Sequence, residues 1–79
     1  MTRIALVDDH KMLRHGLARL LTSLDYQVLF EADDGTGFIE KISVLEKPDI
    51  VLMDISMPRM DGYATTAWLS QHHPDIRVL

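Results

Sequence analysis

The sequence predicts an α/β protein, a doubly wound parallel sheet with helices on both faces. Three observations carry that expectation. Short apolar runs alternate with helix-period segments in the order strand, helix, strand, helix, strand, helix, strand. The connections are short, which implies right-handed crossovers between parallel strands. One run, Ile50 to Met53 (IVLM), is continuous rather than alternating, as strands covered on both faces are.

Each element has its own signal. Arg3 to Val7 (RIALV) is a short apolar run that stops at Asp8-Asp9. Beyond it, Leu13, Leu17, Leu20, Leu21 and Leu24 recur at i, i+4, i+7, i+8 and i+11, one face of a helix, with Arg14, Arg19 and Thr22 between them. Gln27 to Ala32 (QVLFEA) is rich in strand formers, and Asp33-Asp34-Gly35 marks the turn after it. A second helix follows, with Phe38, Ile39, Ile42 and Leu45 expected inward. Gly37 weakens its first turn by up to about 1 kcal/mol relative to alanine, and Pro48 is expected to end it, because the residue before a proline avoids the helical region. Asp61-Gly62 opens a third helix that runs to about His72, where Pro74-Asp75 stops it. Ile76 to Leu79 (IRVL) reads as a fourth strand.

Composition bounds the function. The 79 residues are 47% hydrophobic and 25% charged, ordinary for a single small globular domain. A chain of this size buries only about 60% of its unfolded surface, so its core is small. The formal charge of −4 gives no basic footprint for nucleic acid. There is no cysteine, hence no disulfide frame or thiolate metal site. The start MTRIALVDDH is too short and too charged for a signal peptide. No apolar run approaches the roughly 20 residues of a membrane span. A cytosolic, cytoplasmic protein without membrane contact is the default expectation.

The carboxylates carry the chemistry. In an open parallel sheet, ligands bind beyond the carboxyl ends of the strands, where the strand order reverses. Asp8 and Asp9 follow the first strand and Asp54 follows the third. If those strands are neighbours, three carboxylates converge at one edge and repel each other unless a hard divalent cation shares them. Mg²⁺ suits such a site, since it takes oxygen ligands at about 2.0–2.1 Å and keeps several waters. A plainer reading of Asp9 is a cap for the helix starting near Lys11, and Asp61-Gly62 alone is common turn chemistry. An acidic pair after one strand together with Asp-x-x-x-Pro after another is much less common. The histidines His10, His15, His72 and His73 could suggest transition-metal binding. However, adjacent His72 and His73 point about 100° apart on a helix, and a solvated helix end is the expectation for them. Trp68, one residue off the inward position of Leu69, either covers the helix flank or marks a contact surface, and the first is the favoured expectation.

These residues resemble the receiver domain of bacterial two-component response regulators. The matching pieces are VDDH at Val7 to His10, DDG at Asp33 to Gly35, PDIVLMDISMPRMDG at Pro48 to Gly62, and HPDIRVL at His73 to Leu79. The pattern Asp-x-x-x-Pro-x-x-Asp-Gly is the most specific of them. DDH and HPDIRVL resemble the subclass that carries a C-terminal helix-turn-helix DNA-binding domain. The resemblance implies a flavodoxin-like receiver fold and assigns roles. Asp54 would be the phosphoacceptor, served by a sensor histidine kinase or phosphotransfer protein. Asp9 would ligate Mg²⁺ directly and Asp8 mainly through water. Ser56 would give its backbone carbonyl to the metal, while Pro58 and Gly62 would shape the loop and start the third helix. DNA would be reached only through an output domain.

The chain also departs from the family pattern. The family has a Ser or Thr ending its fourth strand, and a Lys and an aromatic switch residue on its fifth. None occurs here, and Lys11, Lys41 and Lys47 lie on or beside helices. The expectation is therefore the N-terminal two-thirds of a receiver domain over residues 1–79, lacking its last α-β-α portion, poorly phosphorylated and self-associating as a homo-oligomer. An aspartyl-phosphate phosphohydrolase is the competing enzyme reading. Such enzymes carry a second acid two residues after the nucleophile, where this chain has Ser56, so a switch rather than an enzyme is expected. A pure interaction module is the third reading. A nucleotide-binding domain is disfavoured, because no glycine-rich phosphate loop follows the first strand.

Overall fold

A computed structural model describes residues 1–54 and 61–79 of the chain. The elements run β1 (Arg3–Val7), α1 (Lys11–Ser23), β2 (Gln27–Ala32), α2 (Gly35–Val44), β3 (Ile50–Met53), α3 (Gly62–His72) and β4 (Arg77–Val78). All described strand pairs are parallel, and the strand order is β2-β1-β3-β4. The order reverses at β1, so β1 and β3 are neighbours and their carboxyl ends meet. Val7 lies opposite Met53, which brings Asp8 and Asp54 side by side just past the pair. Between β1 and β2 the register slips once, so that Leu29 is the extra residue of a bulge.

One face of the sheet is closed by α2 and α3. Phe38 and Ile42 of α2 and Leu69 of α3 are fully buried against Ala5, Val7, Phe30, Ala32 and Val51. The rings of Phe30 and Phe38 pack with centroids 5.9 Å apart. Both helices begin on an aspartate cap. Asp34 accepts from the Gly37 N–H at 2.8 Å, and Asp61 accepts from the Ala64 N–H at 2.8 Å. Each satisfies an amide that the first helical turn leaves unpaired. Gly37 thus pays its helix cost at the cap itself. Trp68 is half-buried and stacks on His72 at 4.3 Å, so it covers the helix flank as expected.

The other face carries α1 alone among the described residues, and here the sequence expectation needs correction. The leucine stripe lies on one helical face, but Leu13, Leu20 and Leu24 are 65, 54 and 58% exposed, and only Leu17 and Leu21 are half-buried. The buried side chain of α1 is Arg14. Correspondingly, β3 is not covered on both faces. Val51 is buried, while Leu52 is half-buried beside a groove of about 400 Å³ between α1 and the sheet.

Two boundaries also shift. The second helix ends at Val44, well before Pro48, and Leu45, expected inward, is its half-exposed C-cap residue. The early stop is stabilised by Lys47, whose ammonium donates to the Ile42 carbonyl at 2.9 Å. The fourth strand is Arg77–Val78, shorter than the four residues expected. Pairing continues past it all the same, through Leu79 N–H to Val51 O at 2.9 Å and Met53 N–H to Leu79 O at 3.0 Å. The first helix ends at Ser23 with Leu24 as its C-cap, and Asp25 follows at φ 70°, a left-handed position that aspartate tolerates better than most residues.

Candidate functional site

Asp8, Asp9, His10 and Asp54 form one cluster at the carboxyl edge of β1 and β3. One ligand atom from each lies within 4.8 Å of all the others. The sheet itself places Asp54, whose N–H donates to the Val7 carbonyl at 2.9 Å and so extends the β1–β3 ladder by one rung. Asp8 is held from the other side. Its N–H donates to the Ala32 carbonyl of β2 at 3.1 Å, and its Oδ1 accepts from the His10 N–H at 2.8 Å. The side chains of Asp8, Asp9 and Asp54 are 25, 32 and 20% exposed, which leaves them shielded yet open to a ligand.

The structure removes the plainer reading of Asp9. The residue in the N-cap position of α1 is His10, with no side-chain cap hydrogen bond. Asp61 is the cap of α3, and Gly62 is the first residue of that helix and is buried, as the sequence indicated. Ser56 and Pro58, expected to supply a carbonyl and shape the loop, lie outside the described residues.

His10 is the site residue that sequence reasoning missed. Its Nδ1 is 3.0 Å from Asp8 Oδ1, 3.1 Å from Asp9 Oδ1 and 3.9 Å from Asp54 Oδ2. The imidazole pKa is raised above its ordinary value, first by the hydrogen bond to Asp8 and then by the charges of Asp9, Asp8 and Asp54, with slight burial opposing. Protonated, it is a cation among three carboxylates. That is the physical answer to their mutual repulsion when no metal is bound, and its position directly after the acid pair was the available signal.

Arg14 is the second such residue. Its Nε donates to Glu31 Oε1 at 2.8 Å, and its Nη1 lies 2.7 Å from the Asp8 carbonyl, 2.5 Å from Asp33 Oδ1 and 3.3 Å from the Ala32 carbonyl. Burial alone would lower its pKa, but hydrogen bonds to Asp33 and Glu31 outweigh that and raise it. The same contact with Arg14 holds the Asp33 carboxyl below its ordinary value.

The donor set fits Mg²⁺. Three carboxylates are hard oxygen donors of the kind this ion takes. Ligands opposite each other on an ion at about 2.0–2.1 Å stand about 4.2 Å apart. The carboxylates of Asp8, Asp9 and Asp54, gathered with His10 within 4.8 Å of one another, are on that scale.

A parallel 2-1-3-4 sheet with this acidic edge defines a class of protein, and comparison with known sequences confirms it. The chain belongs to the response regulator receiver domain family, whose profile matches residues 4–79. It is 44% identical over 80 residues to the response regulator GacA of Pseudomonas viridiflava, covering 100% of this chain and 37% of that protein. It is 36% identical over 78 residues to the transcriptional regulatory protein DegU of Brevibacillus brevis, covering 98% of this chain and 33% of that one. The chain thus spans well under half the length of these relatives. Among solved structures, response regulator TrrA of Thermotoga maritima, in complex with Mg²⁺–BeF, superposes with a TM-score of 0.87 at 26% identity. That match covers 99% of this chain and 66% of the other.

Proposed function

We propose that this chain is the phosphoacceptor part of a two-component signalling switch, with Asp54 receiving a phosphoryl group. The observation that carries the reading is the meeting of Asp54 with Asp8 and Asp9 across the β1–β3 pair. An ionised Asp54 attacks the phosphorus of a phosphohistidine on a sensor histidine kinase or phosphotransfer protein. A P–O bond forms to the carboxylate, the P–N bond breaks, and the electron pair stays on the donor imidazole. Asp9 and Asp8 would hold Mg²⁺, with a carbonyl from Ser56. Bound there, the ion supplies neutralisation of charge on the phosphoryl oxygens. The roles of Asp8, Asp9, Asp54, Ser56, Pro58 and Gly62 all belong to this proposal.

The output is proposed to be transcriptional and cytoplasmic. The DegU relative is named a transcriptional regulatory protein. With a net charge of −4, these 79 residues offer DNA no basic surface, so DNA would be contacted by a separate output domain. Self-association of the 79-residue chain is part of the same proposal, because Leu13, Leu20, Leu24 and Leu79 are all more than half exposed. A second copy of the chain is the occupant proposed for that face. Sedimentation equilibrium that finds only monomer would remove this element.

Two experiments test the core reading. Incubation with a small phosphodonor and Mg²⁺, followed by mass-spectrometric mapping, is expected to label the 79-residue chain poorly, with what adduct forms on Asp54 and none in Asp54→Asn. An adduct elsewhere overturns the assignment. Mg²⁺ titration followed by amide NMR shifts is expected to move Asp8, Asp9 and Asp54 in the wild type and to fail in Asp9→Ala.

A further inference from the structure

Among the described residues of α1, Arg14 alone is buried, at 5% exposure, and the proposed phosphoryl chemistry gives it no part. We propose that Arg14 is a positioning residue, whose guanidinium locks the loop after β1 to the loop after β2 and thereby fixes Asp8 and Asp9 for the cation. The inference rests on the Mg²⁺ reading above.

The geometry is specific. Nη1 reaches across both loops, to the Asp8 carbonyl at 2.7 Å on one side and to Asp33 Oδ1 at 2.5 Å and the Ala32 carbonyl at 3.3 Å on the other. The Ala32 carbonyl also accepts the Asp8 N–H at 3.1 Å. The main chain of Asp8 is therefore held at both its N–H and its C=O, through one carbonyl of β2 and one guanidinium. Nε is anchored separately, on Glu31 at 2.8 Å, so the planar group cannot swing. Asp54 needs none of this, because the β1–β3 ladder holds it. The two halves of the acidic cluster thus take their positions from different sources. Asp54 takes its place from the sheet, and the pair Asp8-Asp9 from a loop that Arg14 ties down.

The choice of arginine argues in the same direction. A buried arginine whose partners Glu31 and Asp33 meet water contributes little net stability compared with a well-packed apolar side chain. Its product here is a fixed loop. A lysine ammonium cannot replace it, since a compact point charge lacks the rigid fork that serves Glu31, Asp33 and two carbonyls together.

Simple charge and positioning predict opposite results, which makes the test decisive. Removing a positive charge beside an acidic site would by Coulomb's law strengthen Mg²⁺ binding. Loss of positioning weakens it, and groups that orient metal ligands cost about 10–100-fold in affinity when removed. Mg²⁺ is titrated by amide NMR shifts into wild type, Arg14→Met, Arg14→Lys and Asp9→Ala, with urea denaturation of each. The expected result is Mg²⁺ binding weakened about 10-fold or more in both folded Arg14 variants, with no rescue by lysine. Unchanged or tighter binding in a folded Arg14 variant, with binding lost in Asp9→Ala, overturns the positioning role and leaves the metal reading standing. Unchanged binding in Asp9→Ala removes the metal reading and this inference with it. If neither Arg14 variant folds, the wild type decides. Mg²⁺ is expected to shift the Arg14 Nε–H resonance, and an unmoved resonance at saturating Mg²⁺ overturns the proposal.

Discussion

On the α2–α3 face of the sheet, Phe38, Ile42 and Leu69 have at most 1% of their surface exposed, and both helices start on an aspartate cap. On the α1 face, three leucines of the same kind of stripe stand more than half exposed, the buried side chain is an arginine, and the helix has no side-chain cap bond. The α1 stripe is nonetheless regular in the sequence, with leucines at i, i+4, i+7, i+8 and i+11. The difference lies in the second layer. Where two helices meet over the sheet, apolar periodicity becomes burial. Where α1 is the one helix among the described residues, the stripe finds the sheet with two of its leucines and water with the rest. The α1 face compensates with chemistry, because its N-terminal end carries Arg14 and His10 into the acidic edge. One face supplies the stability of the fold and the other sets the geometry of its site.

The largest expected effect breaks that comparison most directly if it fails. Phe38→Ala and Leu69→Ala each remove a fully buried side chain from the closed face. They are expected to cost about 3–5 and 2–5 kcal/mol respectively, as transfer and cavity terms add. Leu20→Ala on the open face is expected to stay within about 0.5 kcal/mol. Urea denaturation of the three variants at matched, dilute concentration is the measurement. A cost at Leu20 close to that at Leu69 would show that the α1 face is covered even at a dilution where a second copy has dissociated.

Next in size is a contrast between helix ends. Asp34→Ala and Asp61→Ala remove the caps of α2 and α3, and each is expected to cost about 0.5–2 kcal/mol. At Asp61 the substitution removes only the carboxylate bond to the Ala64 N–H at 2.8 Å, since the main-chain carbonyl that accepts from the Thr65 hydroxyl remains. Lys11→Ala in the first turn of α1 has no cap to disturb, and equilibrium unfolding is expected to find it near zero. A loss there as large as that from either aspartate would contradict the asymmetry.

How far the sequence reached follows the same division. Ile50–Met53 was bounded to the residue, because a proline, a turn and an aspartate punctuate it. Gly62 was placed at the start of α3 because Asp-Gly is local chemistry. The triad Asp8, Asp9 and Asp54 is legible in the sequence as acids after strand ends, and the strand order β2-β1-β3-β4 supplies the adjacency that the reading required. What the sequence hid was burial. The stripe Leu13 to Leu24 specifies a helical face but not whether anything meets it. Arg14 falls between leucines and reads as solvated. Its burial becomes apparent only when the fold brings Glu31 and Asp33 beside it from a strand some way along the chain. His10 was missed for a related reason. A histidine after two aspartates is commonplace, and only the neighbouring strand adds the third carboxylate.

The smallest expected effect is also the one with the sharpest sign, and it sets two histidines against each other. His73 ends α3 near the Trp68 ring, and its pKa is lowered, first by burial and then by the charges of Lys47 and His72. His10 sits at the acidic edge, and its pKa is raised by Asp8, Asp9 and Asp54. A folded-state value below the unfolded 6.5 means that the folded chain binds fewer protons. Stability contributed by neutral His73 is therefore lost as pH falls through about 6.5. A folded-state value above 6.5 means the reverse. The contribution of protonated His10 is fully present below about pH 6.5 and disappears as pH rises through the raised value. Both groups meet water, so screening keeps the two effects small. Melting temperatures of wild type, His73→Gln and His10→Gln are to be compared between pH 5.5 and 8 without Mg²⁺. Wild type is expected to lose ground to His73→Gln on acidification and to gain ground on His10→Gln. Adding Mg²⁺ is expected to abolish only the second trend, because a cation shared by the carboxylates removes the reason for a proton on His10. Two difference curves that run in the same direction would mean that the packed end and the acidic end of the molecule are not electrostatically distinct.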